Sequence, residues 1–207
     1  QLGDIKPDYL LVSHGHFDHL DTDSIKHFSG AKALIPLKMT DIIKKANPDI
    51  HCQEAGWYQQ YDLNENFQIT FLPAHHWHRR NSFDYNKVLW GSFLIKTKST
   101  SIYFGGDSAY SNHFQDIGNL IGGVDIAILP IAAYAPRWFM KSSHINPEEA
   151  LQAFKDLQAK RFIPMHFGTF DLSDEPMGEP AKLLSSLSGS ENVTFLDIGK
   201  KELLGPR

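Results

Sequence analysis

Three histidines and an aspartate fall within six residues, His14-Gly15-His16-Phe17-Asp18-His19, directly after the apolar run Tyr9–Ser13. That run has the length and residue types of a buried strand, so the His-rich segment is predicted to be the loop at the strand's carboxyl end. Imidazole nitrogens and a carboxylate are the donors that borderline-soft divalent cations prefer. A compact loop can aim His14 and His16 at one ion while Asp18 and His19 face a neighbouring one. A solvated His-rich turn would not need this spacing at a strand end.

Further short runs read as strands: Ala33–Pro36, Gln68–Leu72, Ser92–Lys96, Ile102–Phe104, Asp125–Ile131 and Phe162–Met165. Asp125–Ile131 is almost wholly apolar, as a strand buried on both faces must be. Helical patterns alternate with these runs. Asn146 can cap a helix with Pro147 at its first position, Glu148 and Glu149 in its first turn, and Leu151, Phe154 and Leu157 as its apolar stripe. Ser111 can cap a second helix with Phe114, Ile117 and Ile121 inward, and Ala181–Leu187 is a third. Strands mixed with helices indicate layered α/β or α+β architecture. No repeat or long linker divides the chain.

Composition removes several function classes. The 207 residues carry 20 Lys and Arg against 24 Asp and Glu, a net charge of −4. A nucleic-acid partner would need a basic face, so none is expected. The single Cys52 excludes an internal disulfide framework and any zinc knuckle built on several cysteines, and is expected to be a small buried residue. No run approaches 18 apolar residues, so no membrane span is expected. Compartment stays open, with the cytoplasm or a membrane periphery as the expectation. Oligomeric state is open too, and a homodimer is compatible with the sequence.

The segment HGHFDH resembles the HxHxDH signature of the metallo-β-lactamase fold superfamily. Other segments occur in that family's order: PAHHW after Gln68–Leu72, GGD after Ile102–Phe104, and His166 after Phe162–Met165. Each candidate ligand follows a strand, where open α/β sheets place their sites. The segments PAHHWHRR, NKVLWGSF, GGDSAY, LPIAAYAPRWFMKSSHINPEEA and MHFGTF are similar to the N-acylphosphatidylethanolamine-hydrolysing phospholipase D branch and its bacterial relatives.

The resemblance implies a four-layer αββα sandwich and a site for two divalent cations. It assigns His14, His16 and His76 to one ion, Asp18, His19 and His166 to the other, and Asp107 to a bridge between them. Alignment on Trp77 selects His76 over its neighbour His75. His27, His51 and His113 are expected at the surface. Zinc is the expected metal, with manganese or iron(II) as alternatives; diiron oxygen-reducing relatives usually place Glu where this chain has His16. Asp18 and His144 are the expected catalytic groups, orienting water and stabilising or protonating an oxygen of the substrate. Arg137 and Lys141 either neutralise a phosphate or are surface charge beside a core Trp138.

The implied activity is zinc-dependent hydrolysis of a phosphodiester in a small-molecule or phospholipid-like substrate, with peripheral membrane contact. A lactonase or other ester or amide hydrolase is the alternative enzyme. A metal- or lipid-binding protein without catalysis is the alternative class. Thirteen residues precede His14, whereas the family pattern has several strands there. The expectation is one metallo-hydrolase domain over residues 1–207, lacking its first strands, with the bare sheet edge covered by another segment or chain.

Overall fold

Strand β1 (Tyr9–Leu11) leads through the short helix α1 (Thr22–Ile25) and a 3-10 turn (Lys26–Phe28) to β2 (Lys32–Pro36). Helix α2 (Thr40–Ala46) then leads to β3 (His51–Ala55), and the three strands pair in parallel in the order β1-β2-β3. This computed structural model describes residues 6–28, 30–189, 193–200 and 203. A second sheet has the order β4-β5-β6-β7-β8: Phe67–Leu72, Ser92–Thr97, Ser101–Phe104, Val124–Pro130 and Ala159–Met165. The pairs β4-β5 and β5-β6 are antiparallel, and β6-β7 and β7-β8 are parallel. Helix α3 (His113–Ile121) connects β6 to β7. Helices α4 (Arg137–Met140) and α5 (Pro147–Asp156) lie between β7 and β8, and α6 (Glu179–Leu187) follows.

The period-two alternation of strand side chains creates the layers. In β2, Leu34 packs with Ala55, Ile69, Phe71 and Phe93 between the two sheets. Its neighbours Ala33 and Ile35 face the other way, onto Leu20, Ile25, Met39 and Ile43 beneath α1 and α2. In β5, Phe93 faces the first sheet, while Leu94 joins Phe114, Ile117, Phe154 and Leu157 beneath α3 and α5. The result is helix, sheet, sheet, helix. Such a core is strongly stabilising: truncating a fully buried Phe such as Phe93 costs ~3–5 kcal/mol.

Each anticipated strand is present, and its bounds move by a few residues at most. Strand β3 is the one the sequence pattern did not show. Its residues HCQEA have little apolar periodicity, because β3 is an edge strand that buries only Ala55 and half-buries Cys52. Cys52 is therefore half-buried where full burial was expected. Helices α1, α2 and α4, of four, seven and four residues, were also unsignalled. Helix α5 begins as read. The Asn146 side chain accepts from Glu149 N, Glu149 reaches back to Asn146 N, and Pro147 occupies the first turn. Helix α3 starts one residue beyond an Asn112 cap rather than at Ser111.

Candidate metal centre

The first sheet delivers the His-rich loop. Val12 N still bonds Leu34 O at 3.2 Å, and Ser13 O accepts from Gly91 N at 3.0 Å, so the backbone enters the loop tied to both sheets. His16 O then accepts from Leu20 N (2.8 Å) and His19 N (3.2 Å), which closes a tight turn. His14 and His16 thereby face inward with Asp18 and His19 beyond them.

The second sheet supplies the remaining groups. After β4, the backbone of His75 pairs with Ala109: Ala109 N donates to His75 O at 2.7 Å, and His75 N donates to Ser108 Oγ at 2.9 Å. Extended backbone sends successive side chains to opposite sides. His75 is therefore exposed, while His76 is buried in the cluster. Asp107 follows β6 across Gly105 and Gly106. Gly106 has φ +59°, and a Cβ there would lie 2.9 Å from Gly91 O. His166, immediately after β8, is itself left-handed at φ 59°, a conformation that a non-glycine residue keeps only where its surroundings enforce it.

These side chains meet around Asp107. Its Oδ2 lies 3.2 Å from His19 Nε2, 3.8 Å from His14 Nε2, and 3.9 Å from both His76 Nε2 and His144 Nδ1, while its Oδ1 lies 3.3 Å from His166 Nε2. His16 Nδ1 is 3.1 Å from both His14 Nε2 and His76 Nε2. Asp18 Oδ2 is 3.3 Å from His19 Nε2 and 3.5 Å from His166 Nε2. Among the described residues, three sets have the spacing to hold a metal ion: His14, His16 and His76; Asp18, His19, Asp107 and His166; and His76, Asp107 and His144.

The donor set fits divalent cations. Among the described residues, the buried cluster atoms Asp107 Oδ1 and His144 Nδ1 find no hydrogen-bond partner, a costly condition unless something else satisfies such groups. His76 Nδ1 lies 2.9 Å from Ser143 O, which can only accept, so Nδ1 carries the proton and Nε2 keeps its lone pair toward the cluster. Burial pulls the imidazoles of His14, His16 and His76 down, His16 to about 4 and His76 to about 3, despite the opposing charge of Asp107. Burial also opposes charge on His19, but the carboxylates of Asp107 and Asp18 outweigh it and hold His19 up at about 10. His166 is raised against burial by the same two carboxylates. The carboxyls of Asp18 and Asp107 lie below their ordinary range; burial alone would raise them, and the neighbouring histidines prevail.

A cleft reaches the cluster. His19 and His166 share its wall with Ala133, Phe170, Leu172 and Met177. Phe17, Trp77, Met140 and His144 line an adjoining part. The buried carboxylate of Glu175 shapes this wall by accepting from Ala133 N at 2.6 Å and Ala135 N at 2.8 Å.

Four expectations change. His113 is not a surface residue. Its ring packs on Phe114, contacts Ser108 and Ser111, and is pulled by burial to about 4. Trp138 is 85% exposed instead of packed in the core, because α4 is a single turn standing off the sheets. Arg137 is engaged structurally, donating to His144 O at 2.7 Å and pairing with Glu149. His27 and His51 are exposed as expected. His144, expected to lie outside the ligand set, has its ring nitrogen within it. Glu175 and Arg80, which donates to the His-rich loop, carried no local pattern that singled them out.

Residues 3–167 match the model of the beta-lactamase superfamily domain. Over 192 residues the chain is 38% identical to the mitochondrial N-acyl-phosphatidylethanolamine-hydrolyzing phospholipase D of Saccharomyces cerevisiae, covering 88% of this chain and 41% of that protein. Over 213 residues it is 32% identical to N-acyl-phosphatidylethanolamine-hydrolyzing phospholipase D 1 of Caenorhabditis elegans, covering 95% and 60% respectively. The chain thus spans about half the length of these curated relatives. Among solved structures, Igni18, a metallo hydrolase from Ignicoccus hospitalis, superposes with a TM-score of 0.71 at 24% identity, over 96% of this chain and 80% of that one.

Proposed function

Since the chain belongs to the beta-lactamase superfamily domain family and has the metallo-β-lactamase fold, we propose that it is a metal-dependent hydrolase that cleaves a phosphodiester in a phospholipid-like substrate. One observation carries this reading: the buried Asp107 carboxylate lies between two sets of ligand-bearing side chains drawn from both sheets. His14, His16 and His76 would hold one cation, Asp18, His19 and His166 a second, and Asp107 would touch both. Zinc suits this nitrogen-rich set. When bound, the pair supplies Lewis acidity toward a phosphoryl or carbonyl oxygen and makes water a better nucleophile at neutral pH.

The protein's own groups divide the remaining work. His14, His16 and His76 are neutral near pH 7, so their lone pairs are available without displacing a proton. Asp18 stands on the more open side, is held ionised, and would orient a water and take its proton. His144 lines the cleft, and burial keeps it neutral, so it can direct one N–H at a substrate oxygen without adding a fixed charge. The apolar wall formed by Phe170, Leu172 and Met177 suits acyl chains beside a polar head group. Similarity to proteins named for N-acyl-phosphatidylethanolamine hydrolysis supports the same substrate class.

The test is turnover of bis-p-nitrophenyl phosphate and then of N-acylphosphatidylethanolamine by zinc-loaded protein, with chelator and zinc add-back as controls. Chelator-sensitive cleavage of both supports the proposal. Cleavage of lactones or carboxylic esters with inert phosphodiesters would replace it with the ester-hydrolase reading. Metal uptake without turnover of any substrate would leave a binding protein.

A further inference from the structure

We infer that Arg80, working with His78, is a positioning residue that sets the shape of the loop bearing His14, His16, Asp18 and His19. The functional meaning of that clamp rests on the reading above, in which the loop holds cations.

The segment that carries Arg80 is braced by its own hydrogen bonds. His78 N donates to Asn86 Oδ1 at 3.0 Å, and Asn86 N donates back to His78 O at 2.9 Å. Within this bracket, Arg80 N and Asn81 N donate to Asp84 Oδ1 at 3.0 and 2.9 Å. From that base, Arg80 Nη1 reaches the His-rich loop and donates to Gly15 O at 2.7 Å and Leu20 O at 2.9 Å. Those two carbonyls stand at opposite ends of residues 15–20, so a single guanidinium nitrogen ties the ends together. The guanidinium carbon also sits 4.3 Å from the ring centroid of Phe17. Charged donors make the stronger hydrogen bonds, and a planar guanidinium holds two acceptors in fixed directions.

His78 supplies the second contact. Its ring is fully buried, and among the described residues neither ring nitrogen finds a hydrogen-bond partner, although Asp84 Oδ2 lies 3.8 Å from Nε2. The ring presses on the Cα of Gly15, where a Cβ would lie 2.3 Å from His78 Cε1 and 2.7 Å from Nδ1. Gly15 stands between His14 and His16, so any displacement there moves both imidazoles. The stretch 76–80 therefore does two things at once: it places His76 in the cluster and fixes the loop that supplies four other donors. Groups that orient metal ligands from behind typically change metal affinity by ~10–100-fold when removed.

The experiment uses Arg80→Ala, and separately Gly15→Ala with and without His78→Ala. Amide hydrogen exchange is measured on chelated protein, and zinc affinity by competition with a chelator. Arg80→Ala should speed exchange at residues 15–20 by ~10-fold or more, leave α5 and β7 as in wild type, and weaken zinc binding by ~10–100-fold. Gly15→Ala should do the same, and adding His78→Ala should recover part of the protection, since it removes the ring that the new methyl strikes while Arg80 still ties the loop's ends. A general loss of stability would instead raise exchange everywhere and would overturn the inference, as would wild-type exchange at residues 15–20 in Arg80→Ala. If Arg80→Ala does not fold, the Gly15 and His78 variants carry the decision: failure of the double variant to recover overturns the clamp. Because exchange is read without metal, a wild-type protein that takes up no zinc would sink the cation reading alone.

Discussion

The two halves of the cluster use the same residue type in opposite electrostatic states. His14 and His76 have side chains only 1% exposed and, with His16, are pulled below the ordinary histidine range by burial. His19 and His166 are 16% exposed and are raised by the carboxylates of Asp18 and Asp107. The ring centroids of His14 and His19 are only 4.2 Å apart, yet their proton affinities diverge. Contact with a carboxylate outweighs burial in one half; in the other, burial wins because Asp107 is farther away and shared. In the charge-paired half, His19 and His166 line the cleft beside Phe170 and Leu172.

Asp107→Asn tests what the halves have in common. Removing the shared negative charge should strip metal from both and lower turnover by ~10³-fold or more, read as metal content beside kcat/KM. Wild-type metal content in an inactive variant would show that Asp107 acts on substrate instead. His76→Ala and His166→Ala then separate the halves. Each should cost about one equivalent of metal and ~10²–10³-fold in turnover. Loss of both ions from either single variant would collapse the distinction.

His144 borders both halves, since its ring stacks on His166 and meets His76 edge-on. His144→Ala should keep both metals while kcat falls by ~10²-fold, with a smaller loss on nitrophenyl leaving groups, whose ring already spreads the negative charge that the N–H would stabilise. Reduced metal content would make His144 a ligand, in line with its place beside His76 and Asp107.

The smallest effect is on the stability of chelated protein against pH. His16 and His76 have folded values of about 4 and about 3, below the unfolded ~6.5, so their contribution is present above that value and is lost as pH falls toward 4 and 3. His19, raised to about 10, contributes below ~6.5 and loses that contribution as pH rises through 10. Urea unfolding from pH 4 to 10 should therefore peak near neutrality, with stability falling on each side. A curve that falls on one side only would mean that one half lacks the proton affinity described.

The strands of the second sheet were legible because their apolar runs are buried on one or both faces, and HGHFDH was legible because four donors share one loop. Strand β3 escaped notice because an edge strand needs little apolar patterning. His113 was misjudged because its burial comes from Phe114 together with Ser108 on the preceding turn and Ser111, and Trp138 because a one-turn helix need not pack.

Sequence by itself determined the donor types and their attachment to strand ends, because strand periodicity and loop length are local properties. Alignment on Trp77 selected His76 over His75, and the tertiary structure supplies the physical reason, since pairing between residues 75 and 109 turns His76 inward. Tertiary structure alone decided which histidines are neutral and which are charged. Proton affinity depends on the distance to two carboxylates and on the water excluded around each ring, and those quantities exist only once both sheets have packed.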